Sequence, residues 1–355
     1  MKNILKYKLV LLIVLTASIY WLFFYLPNAK EQSKIEPLAV AGRTMGTSFS
    51  IKITQPLSKE QLQKIQNDIK QTLENFNLIF SHWDKNSELS HFNQSKPNEV
   101  FNSSEALYQL LLLSKQISQK TNGAYDPTIA PSVNIWGFGP GEIRFEPPKD
   151  SEVLMALSQV NYQNLDLSNK NQLIKSKPFS LDLSAIAKGG GVDSLAALMD
   201  KYKIENYLIE IGGEIKTKGV RHPGQNWRIA IESPFTSKTG RKVHRIINIP
   251  QAAYSIATSG NYRNFFNYEG KHYSHTLDPK TGQPISNKIA SLTVLLPTSK
   301  DSTAEVDALA TALTVMGKDK ALSFAEKHLL AVLIMTIEDG KVHEFSSSKF
   351  KEMNF

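Results

Sequence analysis

The sequence predicts an α+β fold, because helical and strand-like patterns occupy different parts of the chain. Over residues 58–117, apolar side chains recur at steps of three and four, which is the spacing of amphipathic helices. Strand-like stretches gather after residue 160 instead of alternating regularly with helices, which argues against a doubly wound sheet. With 355 residues, 41% of them hydrophobic, the chain is long enough for one large or two fused domains.

In the first half of the chain, local signals locate a short strand and two helices. Apolar and polar residues alternate over 49–53, which predicts a half-buried strand. Ser58 and Gln61 resemble a capping box, so we expect a helix to begin after Ser58. Ser104 is placed to begin a second helix and Gly123 to end it.

The second half of the chain contains more predicted strands than helices. Strands are predicted at 207–211, 227–232, 245–249, 254–257, 291–296 and 331–337. Helices are predicted at 192–202, 302–316 and 320–328. This unequal mixture supports the α+β class.

Residues 9–26 form an apolar run without a charged residue. As a helix, this run would be about 27 Å long, close to the hydrocarbon thickness of a bilayer. The lysines within residues 1–8 predict a cytoplasmic N-terminus and export of the rest of the chain. The small-residue pattern at 39–41 lies too far from the run for signal-peptide cleavage. We therefore expect an uncleaved transmembrane anchor at 9–26, followed by a polar tether at 27–40.

The composition argues against several classes of function. The chain has no cysteine, which excludes disulfides, zinc–thiolate sites, iron–sulfur clusters, thiol nucleophiles and a lipid-modified cysteine. The formal net charge is +8, but +3 of it lies in residues 1–40, and the remainder of the chain has no block of like charges. We therefore expect no binding of nucleic acid.

Common nucleotide-binding and hydrolase motifs are missing from the sequence. Residues 137–142 begin like a dinucleotide fingerprint, but Glu142 stands where the third glycine is required. The P-loop, GxSxG and HExxH patterns do not occur. These absences argue against a Rossmann oxidoreductase, a P-loop enzyme, a serine hydrolase and a zincin.

Five segments concentrate glycines and polar residues in combinations that packing alone explains poorly. They are residues 42–47, 81–90, 122–139, 181–193, and 273–284 together with 307–311. Each also has an ordinary structural explanation. Asp-Pro and Pro-Lys-Thr-Gly form turns, the three glycines at 189–191 could be a flexible start of a helix, and Asp307 and Thr311 share a helix face at a common spacing. No segment is specific when taken alone.

In combination, the segments resemble the ApbE family of flavin transferases, the FAD:protein FMN transferases. The resemblance covers about residues 40–340 and depends on ten short motifs in the right order. They are TMGT at 44–47, SELS at 87–90, GAYDPT at 123–128, WGFG at 136–139, LDLSAIAKG at 181–189, GVD at 191–193, GG at 212–213, ATSG at 257–260, SHTLDPKTG at 274–282 and DALAT at 307–311.

The resemblance implies an exported enzyme that binds FAD and Mg²⁺. It would transfer FMN from FAD through a phosphoester bond to a Ser or Thr hydroxyl of a target protein and release AMP. The expected fold is one domain at 41–345 whose two lobes enclose the flavin, followed by a C-terminal tail at 346–355. By motif position, FAD would contact Met45, Trp83, Ala124, Tyr125, Asp126, Asp182, Lys188 and His275. The Mg²⁺ ligands would be the carbonyl oxygen of Ala185 and the side chains of Asp307 and Thr311.

The residue types suit this chemistry. Mg²⁺ prefers hard oxygen ligands, so one carboxylate, one hydroxyl and one carbonyl would leave coordination positions for a pyrophosphate. Phosphoryl transfer depends mainly on positioning and charge neutralisation, part of which Lys188 could supply. His275 is the expected catalytic base, because an imidazole has an ordinary pKa of about 6.5. Trp83 stands where the family usually has tyrosine, and both rings can stack on a flavin or an adenine.

Two other functions stay open from the sequence. An FAD pyrophosphatase of the same family would use water in place of the acceptor hydroxyl and yield FMN and AMP. The second alternative is a non-catalytic flavin-binding protein of the cell surface. The joint presence of five polar motif residues argues against it, namely Asp182, Lys188, His275, Asp307 and Thr311.

The resemblance also implies an acceptor and a location. The acceptor would be a subunit of a membrane redox pump or an exported electron-transfer protein. The catalytic domain would lie on the periplasmic side of a bacterial inner membrane, held there by the apolar helix because the chain lacks a cysteine for lipid attachment. The sequence identifies neither the individual acceptor nor the oligomeric state.

Overall fold

The computed structural model describes residues 38–235, 242–260, 265–297 and 302–354. The expected membrane helix at 9–26 lies outside these residues. Within them, no helix combines the length and the apolar character needed to cross a membrane. The first strand begins at Leu38, inside the segment predicted as a tether.

Seventeen strands occur in the described residues, numbered along the chain. They are β1 (Leu38–Thr44), β2 (Thr47–Ile53), β3 (Phe101–Asn102), β4 (Leu165–Asp166), β5 (Gln172–Lys175), β6 (Tyr207–Ile211), β7 (Glu214–Lys218), β8 (Trp227–Glu232), β9 (Val243–Ile249), β10 (Tyr254–Gly260), β11 (Phe265–Tyr268), β12 (Lys271–Ser274), β13 (Leu277–Asp278), β14 (Gln283–Pro284), β15 (Ile289–Pro297), β16 (Ala331–Glu338) and β17 (Lys341–Ser346).

The same residues contain nine α-helices and one short 3₁₀ helix at Tyr162–Asn164. The α-helices are α1 (Lys59–Phe80), α2 (Glu88–Gln94), α3 (Glu105–Lys120), α4 (Ala130–Ile135), α5 (Asp150–Leu157), α6 (Ala187–Lys201), α7 (Thr303–Met316), α8 (Lys318–His328) and α9 (Ser348–Glu352).

An eight-stranded antiparallel sheet forms the centre of the fold. Its strand order is β1-β2-β6-β7-β10-β15-β16-β17. Strands β3, β5 and β4 form a small separate sheet, and β8–β9, β11–β12 and β13–β14 form two-stranded pairs. The expected mixture of helices with clustered strands is confirmed.

The central sheet is covered on both faces. On one face, Val294 and Val332 pack in a cluster with helices α3 and α7. On the other face, Leu295 and Leu333 pack with the β8–β9 hairpin. Because alternate residues of a strand point to opposite faces, β15 and β16 are apolar almost continuously and do not alternate with polar residues.

The helix signals in the first half of the sequence are confirmed. Helix α1 begins after Ser58, whose Oγ accepts a hydrogen bond from the Gln61 N–H at 3.1 Å. Gln61 Oε1 accepts the Ser58 N–H at 2.9 Å, which completes the capping box. Helix α3 follows Ser104, and Gly123 ends its last turn at a φ of +74°, with its N–H donated to the Ser118 carbonyl.

The three glycines at 189–191 lie inside helix α6, so their interpretation as a flexible start of a helix is wrong. Helix α6 begins at Ala187, five residues before the predicted start at 192. A Cβ atom at Gly189 would overlap the carbonyl of Thr303, at the start of α7. A Cβ at Gly191 would come within 2.5 Å of the Met45 methyl carbon. The glycines therefore allow a close approach between α6, α7 and the β1–β2 turn.

The C-terminal residues pack against the sheet. The segment predicted as a tail, 346–355, contains helix α9, which is capped by Ser347. Phe350 is 4% exposed and belongs to the apolar cluster beneath the β8–β9 hairpin. This segment therefore contributes to the core of the described domain.

Candidate active site

A cavity of about 640 Å³ lies between the central sheet and the loops that precede α4, α6 and β13. Ten of the residues singled out by motif position line this one cavity. They are Trp83, Ala124, Tyr125, Asp126, Asp182, Ala185, Lys188, His275, Asp307 and Thr311. Segments that are far apart in the sequence are thus brought together by the fold.

Met45 is not among the residues that line the cavity. It occupies the β1–β2 turn with a φ of +49° and packs behind the glycines of α6. In the described structure, Met45 therefore supports the wall of the cavity from behind.

The polar wall of the cavity contains a lysine between two carboxylates. Lys188 Nζ lies 3.5 Å from Asp307 Oδ1 and 3.6 Å from Glu214 Oε1. The same nitrogen donates a hydrogen bond to the Ser184 carbonyl at 3.1 Å. Asp307 Oδ2 accepts the Gly189 N–H at 3.0 Å. A single ammonium group on α6 is therefore shared between one carboxylate on α7, one on β7 and a carbonyl of the loop that precedes α6.

Burial and mutual charge set the ionisation of this cluster. Burial raises the pKa of Glu214 well above its ordinary value, and the neighbouring charge of Lys188 only partly opposes that rise. For Lys188, burial acts to lower the pKa, but the charges of Asp307 and Glu214 outweigh it and raise the pKa. Lys188 is thus held as a cation at the cavity wall.

Helix α7 carries Asp307, and Asp193 fixes the start of that helix. The two carboxylate oxygens of Asp193 accept the N–H groups of Thr303 and Ala304, each at 3.0 Å. Asp193 also pairs with Lys216 at 2.8 Å. Because Asp193 lies on α6, this contact fixes α7 relative to the helix that carries Lys188. The GVD motif therefore has a positioning role in the structure.

Asp182 organises the turn that leads into α6. Its Oδ1 accepts the Ser184 N–H at 2.7 Å, directly before Ala185. The side chain of Asn93 bonds both the N–H and the carbonyl of Leu181, at 2.7 and 2.9 Å. His82 Nδ1 lies 3.9 Å from Asp182 Oδ1. The position of the Ala185 carbonyl thus depends on a network that reaches helix α2.

The polar atoms of Tyr125 and Asp126 are already used by the protein. The Tyr125 hydroxyl lies 3.1 Å from Ser114 Oγ, and burial raises the pKa of this phenol. Asp126 accepts the N–H and the hydroxyl of Thr128 and the N–H of Tyr162. Burial raises the pKa of Asp126, and the Thr128 bonds oppose that rise. Both side chains therefore shape the cavity wall through internal contacts.

Two aromatic groups lie in very different environments at the cavity. Trp83 is 61% exposed, which is unusual for so large an apolar side chain and leaves its face available for stacking. His275 lies between β12 and β13, edge-on to Phe138 with 6.3 Å between the ring centres.

Trp136 donates its Nε1–H to the Gly282 carbonyl at 2.8 Å. This bond ties the WGFG segment to the turn that follows His275.

The expected metal ligands fit a magnesium site by their chemistry. Asp307 and Thr311 lie one helical turn apart on α7, and Ala185 lines the same cavity. The described ranges contain no cluster of three or more His, Cys, Asp or Glu residues arranged to hold a metal. Mg²⁺ does not require such a cluster, since it commonly takes one or two carboxylates together with substrate phosphates and water.

Three glutamates that the sequence patterns missed also line the cavity, namely Glu210, Glu214 and Glu232, and Glu214 is the one that pairs with Lys188. It follows the matched Gly212-Gly213 pair directly, lines the cavity and is 2% exposed. A carboxylate placed directly after two adjacent glycines is the only local signal for it. Its burial arises from the packing of β7 against α6 and α7, which no local pattern reports.

Curated relatives place the chain among transferases. The FAD:protein FMN transferase of Vibrio cholerae serotype O1 is 40% identical over 317 residues, which are 89% of this chain and 92% of the relative. The protein of the same name from Haemophilus influenzae is 37% identical over 328 residues, or 91% of this chain and 93% of the relative. These relatives match the chain over nearly their whole lengths.

Comparison with solved structures and with a family model gives the same family as the sequence relatives. The flavin transferase ApbE from Vibrio cholerae superposes with a TM-score of 0.80 at 40% identity, covering 89% of this chain and 99% of that structure. An ApbE protein from Thermotoga maritima gives a TM-score of 0.79 at 27% identity, covering 90% and 100%. The model described as the ApbE family matches residues 45–334. The chain belongs to the ApbE family.

Proposed function

We propose that this protein transfers FMN from FAD to a Ser or Thr hydroxyl of a target protein, with the help of Mg²⁺. The main support for the proposal is that ten motif residues line one cavity. Its volume of about 640 Å³ is within the usual range for cofactor sites. Flavin transfer is the activity named for the relatives in the family. In the proposed reaction, the acceptor oxygen forms a bond to the FMN phosphorus, the pyrophosphate P–O bond breaks, and AMP leaves with the electron pair.

The proposed FAD site lies between two lobes, the central sheet with α6 and α7 on one side and the loops at 81–90 and 122–139 on the other. Trp83 would stack on an aromatic ring of FAD, since its face is exposed at the cavity edge. Lys188 would neutralise charge on the phosphates, because the pairing with Asp307 and Glu214 keeps it protonated. Both roles use side chains that the fold leaves accessible from the cavity.

The proposed metal site comprises the Asp307 carboxylate, the Thr311 hydroxyl and the Ala185 carbonyl. The donor set is entirely of hard oxygens, which Mg²⁺ prefers. When bound, Mg²⁺ would neutralise charge on the pyrophosphate oxygens. Asp182 supports this arrangement, because its bond to Ser184 fixes the turn that contains Ala185.

The proposed general base is His275. The imidazole lines the cavity and lies edge-on to Phe138, so it can accept the proton of an acceptor hydroxyl at the cavity wall. The proton of the hydroxyl would pass to an imidazole nitrogen as the O–P bond forms.

One experiment separates this proposal from its alternatives. The full-length protein is incubated with FAD, Mg²⁺ and a candidate acceptor, and the acceptor is weighed by mass spectrometry. We expect the mass of the acceptor to increase by one FMN phosphoester. Free FMN and AMP with an unmodified acceptor would instead identify an FAD pyrophosphatase, and unchanged FAD would identify a binding protein. Either result would contradict the proposal.

We further propose a location and a class of acceptor. The apolar run at 9–26 would anchor the protein in a bacterial inner membrane with the catalytic domain on the periplasmic side. The acceptor would then be a membrane redox-pump subunit or an exported electron-transfer protein. Support comes from the charge-free run and the lysines that precede it.

A further inference from the structure

Glu214 is a buried carboxyl group in the polar wall of the cavity. It begins β7, directly after Gly212 and Gly213, which have φ values of +62° and +113°. Its Oε2 is buried and has no hydrogen-bond partner among the described residues. An unsatisfied buried carboxylate oxygen is unfavourable, and such groups in native structures are commonly linked to function.

The contacts of Lys188 show that two carboxylates compete for one cation. The distances from Nζ to Asp307 Oδ1 and Glu214 Oε1 are 3.5 and 3.6 Å, both longer than the roughly 2.7–2.9 Å of an optimal charged hydrogen bond. Lys188 is therefore shared almost equally between them. The three side chains carry one positive and two negative charges when all are ionised, so the group attracts a further cation.

We propose that Glu214 is a positioning residue that holds Lys188 at the phosphate side of the cavity when a divalent cation occupies Asp307. This inference deepens the proposed function and depends on it. Asp307 cannot serve fully as a metal ligand and as the partner of an ammonium group, because two cations on one carboxylate repel each other. Among the described residues, Lys188 then retains Glu214 as its only anionic partner. Without Glu214, Lys188 would be free to leave the phosphate position or to compete for Asp307.

The test is a double-mutant cycle measured with and without Mg²⁺. The affinity for FAD is measured by flavin fluorescence in the full-length protein without acceptor, and FAD integrity is checked by chromatography. The four proteins are wild type, Glu214→Gln, Lys188→Met and the double variant. The coupling energy calculated from the four affinities reports only the interaction between the two side chains. Any effect that Glu214 exerts independently of Lys188 is the same in both backgrounds and is subtracted.

With Mg²⁺, we expect Glu214→Gln to weaken FAD binding about tenfold or more when Lys188 is present, and less than about twofold when it is methionine. With EDTA, Asp307 remains available to hold Lys188, so the effect of Glu214→Gln should fall below about threefold in both backgrounds. Equal weakening in both backgrounds, or a coupling that does not depend on Mg²⁺, would overturn the inference.

Two further variants control for charge and for folding. Glu305→Gln removes a carboxylate from α7 that pairs with Lys120 at 3.1 Å, so it should leave FAD affinity unchanged. Glu214→Asp keeps the charge but withdraws it from Lys188, so it should show an intermediate loss. Wild-type transfer is measured on the same preparation. Absence of both FAD binding and transfer in wild type contradicts the proposed function, whereas normal transfer without the coupling contradicts only the role of Glu214.

Discussion

At the scale of single residues, the site depends on which partners each charged side chain finds after folding. The motifs contain Lys188 and Asp307 as separate signals, and in the structure both side chains line one cavity. Their pairing with Glu214 could not be predicted, because the three residues come from α6, α7 and β7 and meet only when these elements pack. Local patterns identify candidate groups, and tertiary packing determines their charge states.

The role of His275 can be tested with His275→Asn, which keeps a similar shape but cannot accept a proton near neutral pH. We expect kcat to fall by about 10²–10⁴-fold, with little change in FAD affinity, because general-base catalysis typically contributes that factor. Single-turnover kinetics and FAD titrations measure the two quantities separately. A variant that binds FAD far more weakly but reacts normally at saturating FAD would make His275 a binding residue.

The role of Asp307 can be tested with Asp307→Asn, which retains an oxygen that can accept the Gly189 N–H. The only charged side-chain ligand proposed for Mg²⁺ is lost, so we expect almost no transfer and a circular dichroism spectrum like that of wild type. Removal of Mg²⁺ by a chelator should also stop the wild-type reaction. Wild-type rates in the variant at limiting Mg²⁺ would rule out the proposed metal site.

At the scale of elements, the ends of helices were easier to predict than the contacts between helices. The start of α1 follows from Ser58 and Gln61, because a capping box involves only neighbouring residues. The start of α6 was predicted five residues too late, because glycine disfavours helices in isolation. In the protein, close packing against α7 outweighs that propensity. The signal for this packing lies in Thr303, which is distant in the sequence.

Substitution of Gly189 by alanine should disturb the contact between α6 and α7. The new Cβ would overlap the Thr303 carbonyl, so we expect a loss of about 1–3 kcal/mol in the free energy of unfolding. Activity should also fall, since the distance between Lys188 and Asp307 depends on this contact. Gly141→Ala is the matched control, because its Cβ would meet no atom within 4 Å and should change stability by less than about 0.5 kcal/mol. Similar unfolding curves for the two variants would contradict the packing argument.

Strand β5 carries Lys175, a lysine that is only 2% exposed. Its Nζ donates to the carbonyls of Asn93 and Ser95 at 2.9 and 3.2 Å, at the end of α2. The ammonium also lies 5.0 Å from the centre of the Phe92 ring. Burial lowers the pKa of Lys175 to about 8. The small sheet is thus joined to α2 through a lysine that is destabilised in its charged form.

This lowered pKa predicts how stability changes with pH. The unfolded chain, with a lysine pKa of about 10.4, binds more protons than the folded chain between about pH 8 and pH 10.4. The contribution of Lys175 to the free energy of unfolding should therefore rise with pH across this window, by up to about 3 kcal/mol. Urea unfolding of wild type and Lys175→Met at pH 7.5 and pH 10 measures the difference. Lys170→Met, at an exposed site, should show no such change, and a flat difference for Lys175→Met would contradict the prediction.

At the scale of the whole molecule, the sequence predicted the mixed architecture and most strands of the central sheet. Strand β6 of this sheet and strand β8 of the neighbouring hairpin have the predicted bounds, 207–211 and 227–232, because their patterns of apolar residues identify both ends of the strand. The order of strands in the sheet could not be predicted. Strand β10 pairs with β7 and β15, and these pairings are set by the burial of both sheet faces and not by neighbouring residues.

Membrane topology is a separate prediction for the whole chain. A reporter active only in the periplasm, fused at the C-terminus, should be active, and one active only in the cytoplasm should be silent, because the lysines before residue 9 favour a cytoplasmic N-terminus. N-terminal sequencing of the membrane fraction tests cleavage. The opposite reporter pattern would contradict the topology, and a mature chain that starts near Gly42 would show that the anchor is removed.

Strand β1 begins at Leu38 and lies at the edge of the central sheet. Eleven residues separate it from the apolar run that ends at residue 26. A chain of that length spans at most about 40 Å when fully extended. With the run in the bilayer, the enzyme would search only a thin layer of space next to the membrane surface. Acceptors that present their hydroxyl within this layer would meet the enzyme at a high local concentration, whereas a soluble acceptor would first have to diffuse to the membrane.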